Sequence, residues 1–113
     1  MKKLTVLAAL GLASACASSQ LPQAQVADTK AEIQAAETVG AKDNSRAALY
    51  LKLAQDQLEQ AKEFADDGDE EEAKLLLDRA MVDAKLAIAV TKQAEAEAEA
   101  KEVLKEIDKL SQK

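Results

Sequence analysis

The stretch AALYLKLAQDQLEQAKEFADDGDEEEA, residues 47–73, decides the fold. Ala47, Leu51, Ala54, Leu58, Ala61 and Ala65 follow one another at alternating spacings of four and three, which is the seam of a helix that lies along another helix. Asp66-Asp67-Gly68-Asp69 interrupts that seam. Gly68 predicts the left-handed residue just past a helix C-terminus, and Asp69 with Glu72 three positions on predicts the N-cap of the next helix. So short a connection leaves the two helices antiparallel neighbours, a helical hairpin that turns at Gly68 and Asp69.

After the turn the same spacing resumes in Ala73, Leu77, Ala80, Ala84, Ala87, Thr91, Ala94 and Ala98. Alanines on both seams allow two backbones to approach closely, with Leu58 and Leu77 as larger knobs. The turn position puts Ala61 opposite the region of Leu77 and Ala54 opposite the region of Ala84. Farther on, alternating Glu and Ala from Ala94 to Ala100 are good helix formers and poor strand formers, so the helix continues. Glu70 with Lys74, and Glu97 with Lys101, stand at the spacing that supports an exposed helix. The helix is expected over residues 69–110, about 60 Å at 1.5 Å per residue.

Ahead of the hairpin, Asp43-Asn44-Ser45 offers three N-cap candidates for a helix over 45–66. A leading helix over about 22–39 ends at Gly40, and it begins between Pro22 and Lys30, with Thr29-x-x-Glu32 reading as a capping box. Its stripe, Val26, Ile33 and Ala36 or Gly40, is mostly small. The last helix outruns the second, so its far half needs another partner. Val103, Ile107 and Leu110 form a sticky stripe there, read first as the place where the leading helix docks and second as a self-association face. The fold class is therefore all-α: an antiparallel, alanine-rich, coiled-coil-like αα-hairpin with a preceding helix and a long C-terminal helix.

Composition agrees with this reading. The 113-residue chain is 32% charged and 2% aromatic, with no Trp and no His, a profile of long helices rather than sheets. Its start has a different character. Lys2 and Lys3 precede an apolar run from Leu4 to Leu12, then the small residues Ala13, Ser14 and Ala15 and the only cysteine, Cys16. This is the three-part plan of an export signal, and its apolar run is far below the ~20 residues of a membrane-spanning helix. Ala13-x-Ala15 or Ala15-x-Ala17 would serve an ordinary signal peptidase. Leu12-Ala13-Ser14-Ala15-Cys16 resembles a lipobox, with Ala13 where Leu is usual. An unpaired thiol in an oxidising compartment favours the second use, in which Cys16 accepts a diacylglycerol and an N-acyl chain. Residues 1–15 are then a lipoprotein signal peptide, 16–21 a lipidated tether, and 22–113 the helical domain. By the same resemblance to bacterial lipoproteins, in which the residue after the cysteine directs sorting, Ala17-Ser18 lacks the aspartate that commonly retains them at the inner membrane, and the periplasmic face of the outer membrane is implied.

Loss of the leader takes Lys+Arg from 15 to 13 against 21 Asp+Glu, so the formal charge moves from −6 to −8. So acidic a product is a poor nucleic-acid ligand and is not drawn to anionic lipid, leaving the acyl chains as its membrane contact. Catalysis is not expected: without histidine neither a Cys-His nor a Ser-His-Asp arrangement can be built. The acids Asp66, Asp67, Asp69, Glu70, Glu71 and Glu72 do not fit a twelve-residue calcium loop, because helix resumes by Glu70, and a helix N-terminus attracts acids without any metal. No metal or other cofactor is assigned, and a ligand- or metal-binding role for this turn stays an alternative. Tyr50 and Phe64 read as packing. Arg79 and Asp83, one turn apart, read either as a pair or as groups that meet a partner. Lys113 ends a segment similar in kind to the tail of Braun-type lipoproteins, whose terminal lysine is joined to peptidoglycan, although the aromatic and arginine usual there are missing.

Ala54, Leu58, Ala61, Gly68-Asp69, Ala73, Leu77, Ala80, Asp83-Ala84 and Leu86-Ala87 carry a further resemblance. From Ala47 to about Leu110 the chain resembles a family of short, alanine-rich bacterial envelope lipoproteins classed as a domain of unknown function, found alone after a lipobox or ahead of an OmpA-like domain. The proline that often precedes the second helix in that family is absent. The resemblance implies a lipid-anchored structural or interaction module with an envelope protein, peptidoglycan or a second copy as partner, and it brings no catalytic residues.

Overall fold

The computed structural model describes residues 21–113, so Leu12, Ala13, Ser14, Ala15 and Cys16, and with them the export signal and the lipidation site, lie outside the described residues. Three helices follow: α1 Gln23–Thr38, α2 Ser45–Asp66 and α3 Glu70–Ser111, with a short 3-10 turn at Ala41–Asp43 between the first two. Among the described residues there is no strand. The fold is all-α.

The hairpin turn forms as its residues dictate. Gly68 has φ +88°, in the left-handed region where a side chain is strained. Its amide donates to the Ala65 carbonyl at 3.1 Å and the Asp69 amide to the Phe64 carbonyl at 2.8 Å, so the last turn of α2 finds donors for carbonyls that the helix cannot satisfy itself. Asp69 then caps α3, its side chain accepting from the Glu72 amide at 3.3 Å. Of the three candidates before α2, Asn44 is the cap: its Oδ1 accepts from the amides of Arg46 and Ala47 at 3.1 and 3.0 Å. Ser45 is the first helical residue.

Every residue of the α2 seam is buried, from Ala47 to Ala65. On α3 the seam is buried from Ala73 through Thr91, joined by Leu76 and Val90. Gln57 on α2 donates to Asp83 on α3 at 2.9 Å, close to the register that pairs Ala54 with the region of Ala84. The same bond occupies the carboxylate expected to meet Arg79. Ala94 is half-buried and Ala98 exposed, so the inner seam loses its cover where α2 has run out.

Two expectations for α1 are corrected. The Thr29-x-x-Glu32 box is not a helix start: the helix begins at Gln23, and the Thr29 hydroxyl donates to the Gln25 carbonyl at 2.9 Å from a fully buried position. A threonine that is covered on the inner face uses the carbonyl one turn back in place of a cap. The second correction concerns docking. Helix α1 does not reach the stripe of Val103, Ile107 and Leu110. Its Gln25 bonds Asp78 near the start of α3, and its end, Val39 and Gly40, lies beside Thr91 and Ala94. The reason is the connection. Gly40 stops α1 at φ +84° and only a few residues precede Ser45, so α1 must run back along α2 and over the same half of α3 that α2 covers. Glu37 fastens it there, accepting from Gln55 and pairing with Lys42, both at 3.0 Å. The result is a three-helix packing unit around alanine-rich seams. From it the last part of α3 projects alone.

Candidate functional site

Most of the chain's chemistry is ordinary surface. Lys74 pairs with Glu70 at 3.8 Å as expected, but Glu97 accepts from Gln93 at 2.9 Å and no pair with Lys101 forms. Such exposed contacts contribute little to stability. The acids of the hairpin turn are exposed at the N-terminus of α3, where the helix dipole favours them. Among the described residues no group of three or more His, Cys, Asp or Glu side chains is placed to hold a metal ion. Tyr50 is half-buried against the core, and Phe64 is exposed at 37%. The grooves between helices are shallow; one, between α1 and α2, is lined by Ile33 and Leu58 with Lys30, Glu59 and Lys62 at its rim. Among the described residues no helix is long and apolar enough to cross a membrane.

What stands out is the outer face of α3. Val103, Leu104, Ile107 and Leu110 are 51%, 64%, 55% and 65% exposed, and among the described residues no other helix covers them. Nearer the turn, Leu75, Val82 and Leu86 are also exposed, on the side of α3 turned away from α1 and α2. The sequence reading found only the C-terminal part of this surface. The rest was legible as a second run of spacings of four and three, but it could be separated from the inner seam only once the buried face was known.

The ends of the structure are also informative. Leu21, the first described residue, is buried beside Ala65 and Asp66, next to the hairpin turn. Lys113 is exposed past the far end of α3. With 42 residues in that helix, the two points are separated by about 60 Å. Cys16 stands five residues before Leu21 in the sequence, whereas Lys113 belongs to the opposite end.

Fold and surface together define a class: a small helical packing module, closed by alanine seams and left open along one face of its longest helix. The chain belongs to the family described as domain of unknown function DUF4398, whose model matches residues 24–103 and so takes in α1 as well as the hairpin. No curated protein and no solved structure gives a significant match.

Proposed function

We propose that the protein is a lipid-anchored helical lipoprotein of the bacterial cell envelope, held at the periplasmic face of the outer membrane through acyl chains on Cys16, and that it acts as a structural or protein-interaction module without catalysis. The observation that carries this reading is the order of parts: a lipobox-like Leu12–Cys16 directly ahead of a helical domain whose longest helix keeps an apolar face uncovered. An exposed apolar stripe on a protein surface marks an interaction site. Fractionation of cells that express the full-length chain tests the anchor. Cys16→Ser should move the protein from the membrane fraction to the soluble periplasm and abolish incorporation of labelled fatty acid. Unchanged partitioning with no label in the wild-type chain would remove the anchor.

A second reading has one observation in its favour. The end that carries the tether and the end that carries Lys113 are opposite ends of the longest helix, the layout of a bridge between membrane and wall. If Lys113 is joined to peptidoglycan, sacculi digested with lysozyme release a C-terminal peptide bound to a muropeptide. Its absence from digests that contain other wall-linked peptides would end this reading. The acidic turn as a ligand or metal site has no observation in its favour.

A further inference from the structure

Helix α3 carries a second heptad seam. From Leu75 to Leu110 every step of four and three lands on an exposed residue. The large apolar positions are Leu75, Val82 and Leu86 toward the turn and Val103, Ile107 and Leu110 toward the C-terminus, with Ala89, Ala96 and Ala100 between them. Only Arg79 and Gln93 are polar. A straight α-helix drifts by ~20° per heptad against a strict seven-residue repeat, so an apolar line kept in phase over five heptads fits a supercoiled helical partner rather than scattered surface residues. The inner seam already has such a partner in α2. The outer seam has none.

We propose that its partner is a second copy of this chain, with the two α3 helices packed antiparallel. The charges beside the seam choose the occupant, its direction and its register. One residue before Arg79, Leu86, Gln93, Ala100 and Ile107 stand Asp78, which also accepts from Gln25 of α1, Lys85, Lys92, Glu99 and Glu106; Lys113, seven residues past Glu106 and just beyond the end of α3, continues the row, and all six are exposed. In that order their signs run minus, plus, plus, minus, minus, plus, so the row is its own complement when reversed. Laid antiparallel about a two-fold axis between Ala94 and Glu95, Lys92 meets the partner's Glu99, Lys85 the partner's Glu106 and Asp78 the partner's Lys113. Each pair occurs twice. In the same register Val82 faces the partner's Ile107, Leu86 the partner's Val103 and Ala89 the partner's Ala100, while Arg79 lies at the C-terminal end of the partner's helix, where a cation is favoured. In these three layers large residues meet large ones and alanine meets alanine, and at the centre Gln93 meets the partner's Ala96.

The alternatives fail on the same residues. Sliding the helices by one heptad in one direction sets Lys92 against the partner's Lys92, and in the other direction Glu99 against the partner's Glu99. A parallel pair puts Arg79 on the partner's Arg79 within the seam and Asp78 near the partner's Asp83. Like charges brought together in this way oppose pairing. The antiparallel dimer also gives the projecting half of α3 something to lie on, namely the outer face of the partner's three-helix unit. One further consequence separates it from a wall bridge. The two Leu21 residues leave from opposite ends of the dimer, so a doubly anchored dimer lies along the membrane.

This pairing names a partner for the interaction-module reading and is tested on protein that carries Cys16→Ser, so that failure of the dimer and failure of the anchor are read separately. Sedimentation equilibrium of the full-length Cys16→Ser chain in the micromolar range should show a dimer. Adding Ile107→Asp, at a position more than half exposed within the single chain, should give a monomer of unchanged helicity. Lys92→Glu should raise the dimer dissociation constant roughly tenfold or more, and Lys92→Glu with Glu99→Lys should restore it. When two tagged chains are co-expressed, one with Ala89→Cys and one with Ala100→Cys, oxidation should join the two kinds of chain to each other. A chain that stays monomeric at these concentrations overturns the proposal, as does a dimer indifferent to Ile107→Asp. Disulfides formed between two Ala89→Cys chains would refute the antiparallel register. Capture of a different protein on this face by a monomeric chain would assign the face to that protein instead.

Discussion

Leu77→Ala and Leu49→Ala make the same chemical change at helical positions of very different burial, 0% and 58% exposed. Each exchanges leucine for the better helix former, so the propensity gain is shared and the difference between them isolates packing. At Leu77 the loss of three carbons forfeits about 2.5 kcal/mol of transfer free energy. A cavity term adds to it, because the position on the facing seam opposite Leu77 is Ala61, which has no longer side chain to swing into the gap. A total of roughly 3–4 kcal/mol follows, within the ~2–5 range of buried Leu→Ala changes. For a domain of this size, with a stability of about 5–14 kcal/mol, that is a large share, and it lowers Tm by roughly 12–32 °C. Leu49→Ala should stay within about 0.5 kcal/mol of wild type, as surface substitutions do. Urea unfolding followed by helical circular dichroism on the full-length Cys16→Ser chain measures both, run with Ile107→Asp present so that no association enters the comparison. A loss below about 1 kcal/mol at Leu77, or equal losses at the two sites, would refute the assignment of the inner seam as the core.

Three other substitutions read separate parts of the fold. Gly68→Ala places a side chain at φ +88°, a left-handed conformation that an L residue adopts at a penalty of about 1–2 kcal/mol, read by denaturation with helix content unchanged. Asn44→Ala removes the acceptor for two backbone amides and should lose about 1 kcal/mol, whereas Asn44→Asp should keep most of the stability. Ala84→Leu forces three extra carbons between seams that are fully buried; a loss of about 1–3 kcal/mol is expected from thermal melts, and a stabilised variant would mean that the helices lie farther apart than described.

The hairpin was legible in the sequence because its punctuation is chemically unambiguous. Gly68 suits a left-handed residue and Asp69 suits a cap, and both are used so. The α2 seam needed only counting, since a buried face of alanine and leucine repeats without interruption. Thr29 was misread for a physical reason: Thr-x-x-Glu has the same letters whether the hydroxyl meets an amide at a helix start or a carbonyl inside a helix, and burial decides which. The docking of α1 was illegible because its stripe of small residues would fit either half of α3. What fixes it is the short link from Gly40 to Ser45, a matter of chain geometry. The outer seam hid in plain view, since Leu75, Val82 and Leu86 read as excess leucine and valine on a helix until α1 and α2 were seen to occupy the opposite side. Cys16, Ala13 and their neighbours lie outside the described residues, and the export signal and anchor proposed for them rest on the sequence alone.

The projecting part of α3 bears on why the outer seam exists. Helix formation is limited by its first turn, and here that turn is already fixed within the three-helix unit, so residues beyond Ala94 extend an existing helix one hydrogen bond at a time. Alanine and glutamate from Ala94 to Ala100 favour that extension, and Glu102 with Lys105 adds an exposed pair at 3.5 Å. The helix therefore needs neither Val103 nor Ile107 in order to form. Polar residues at those places would hold it as well and would keep it from other apolar surfaces. β-branched residues are weaker helix formers than the alanines just before them, so their presence at two seam positions works slightly against local stability. Contact with another chain, as in the dimer we propose, would account for sequence that opposes its own helix and exposes apolar area. In that dimer the charge row beside it, opposite in sign to itself when reversed, selects a copy of the same chain.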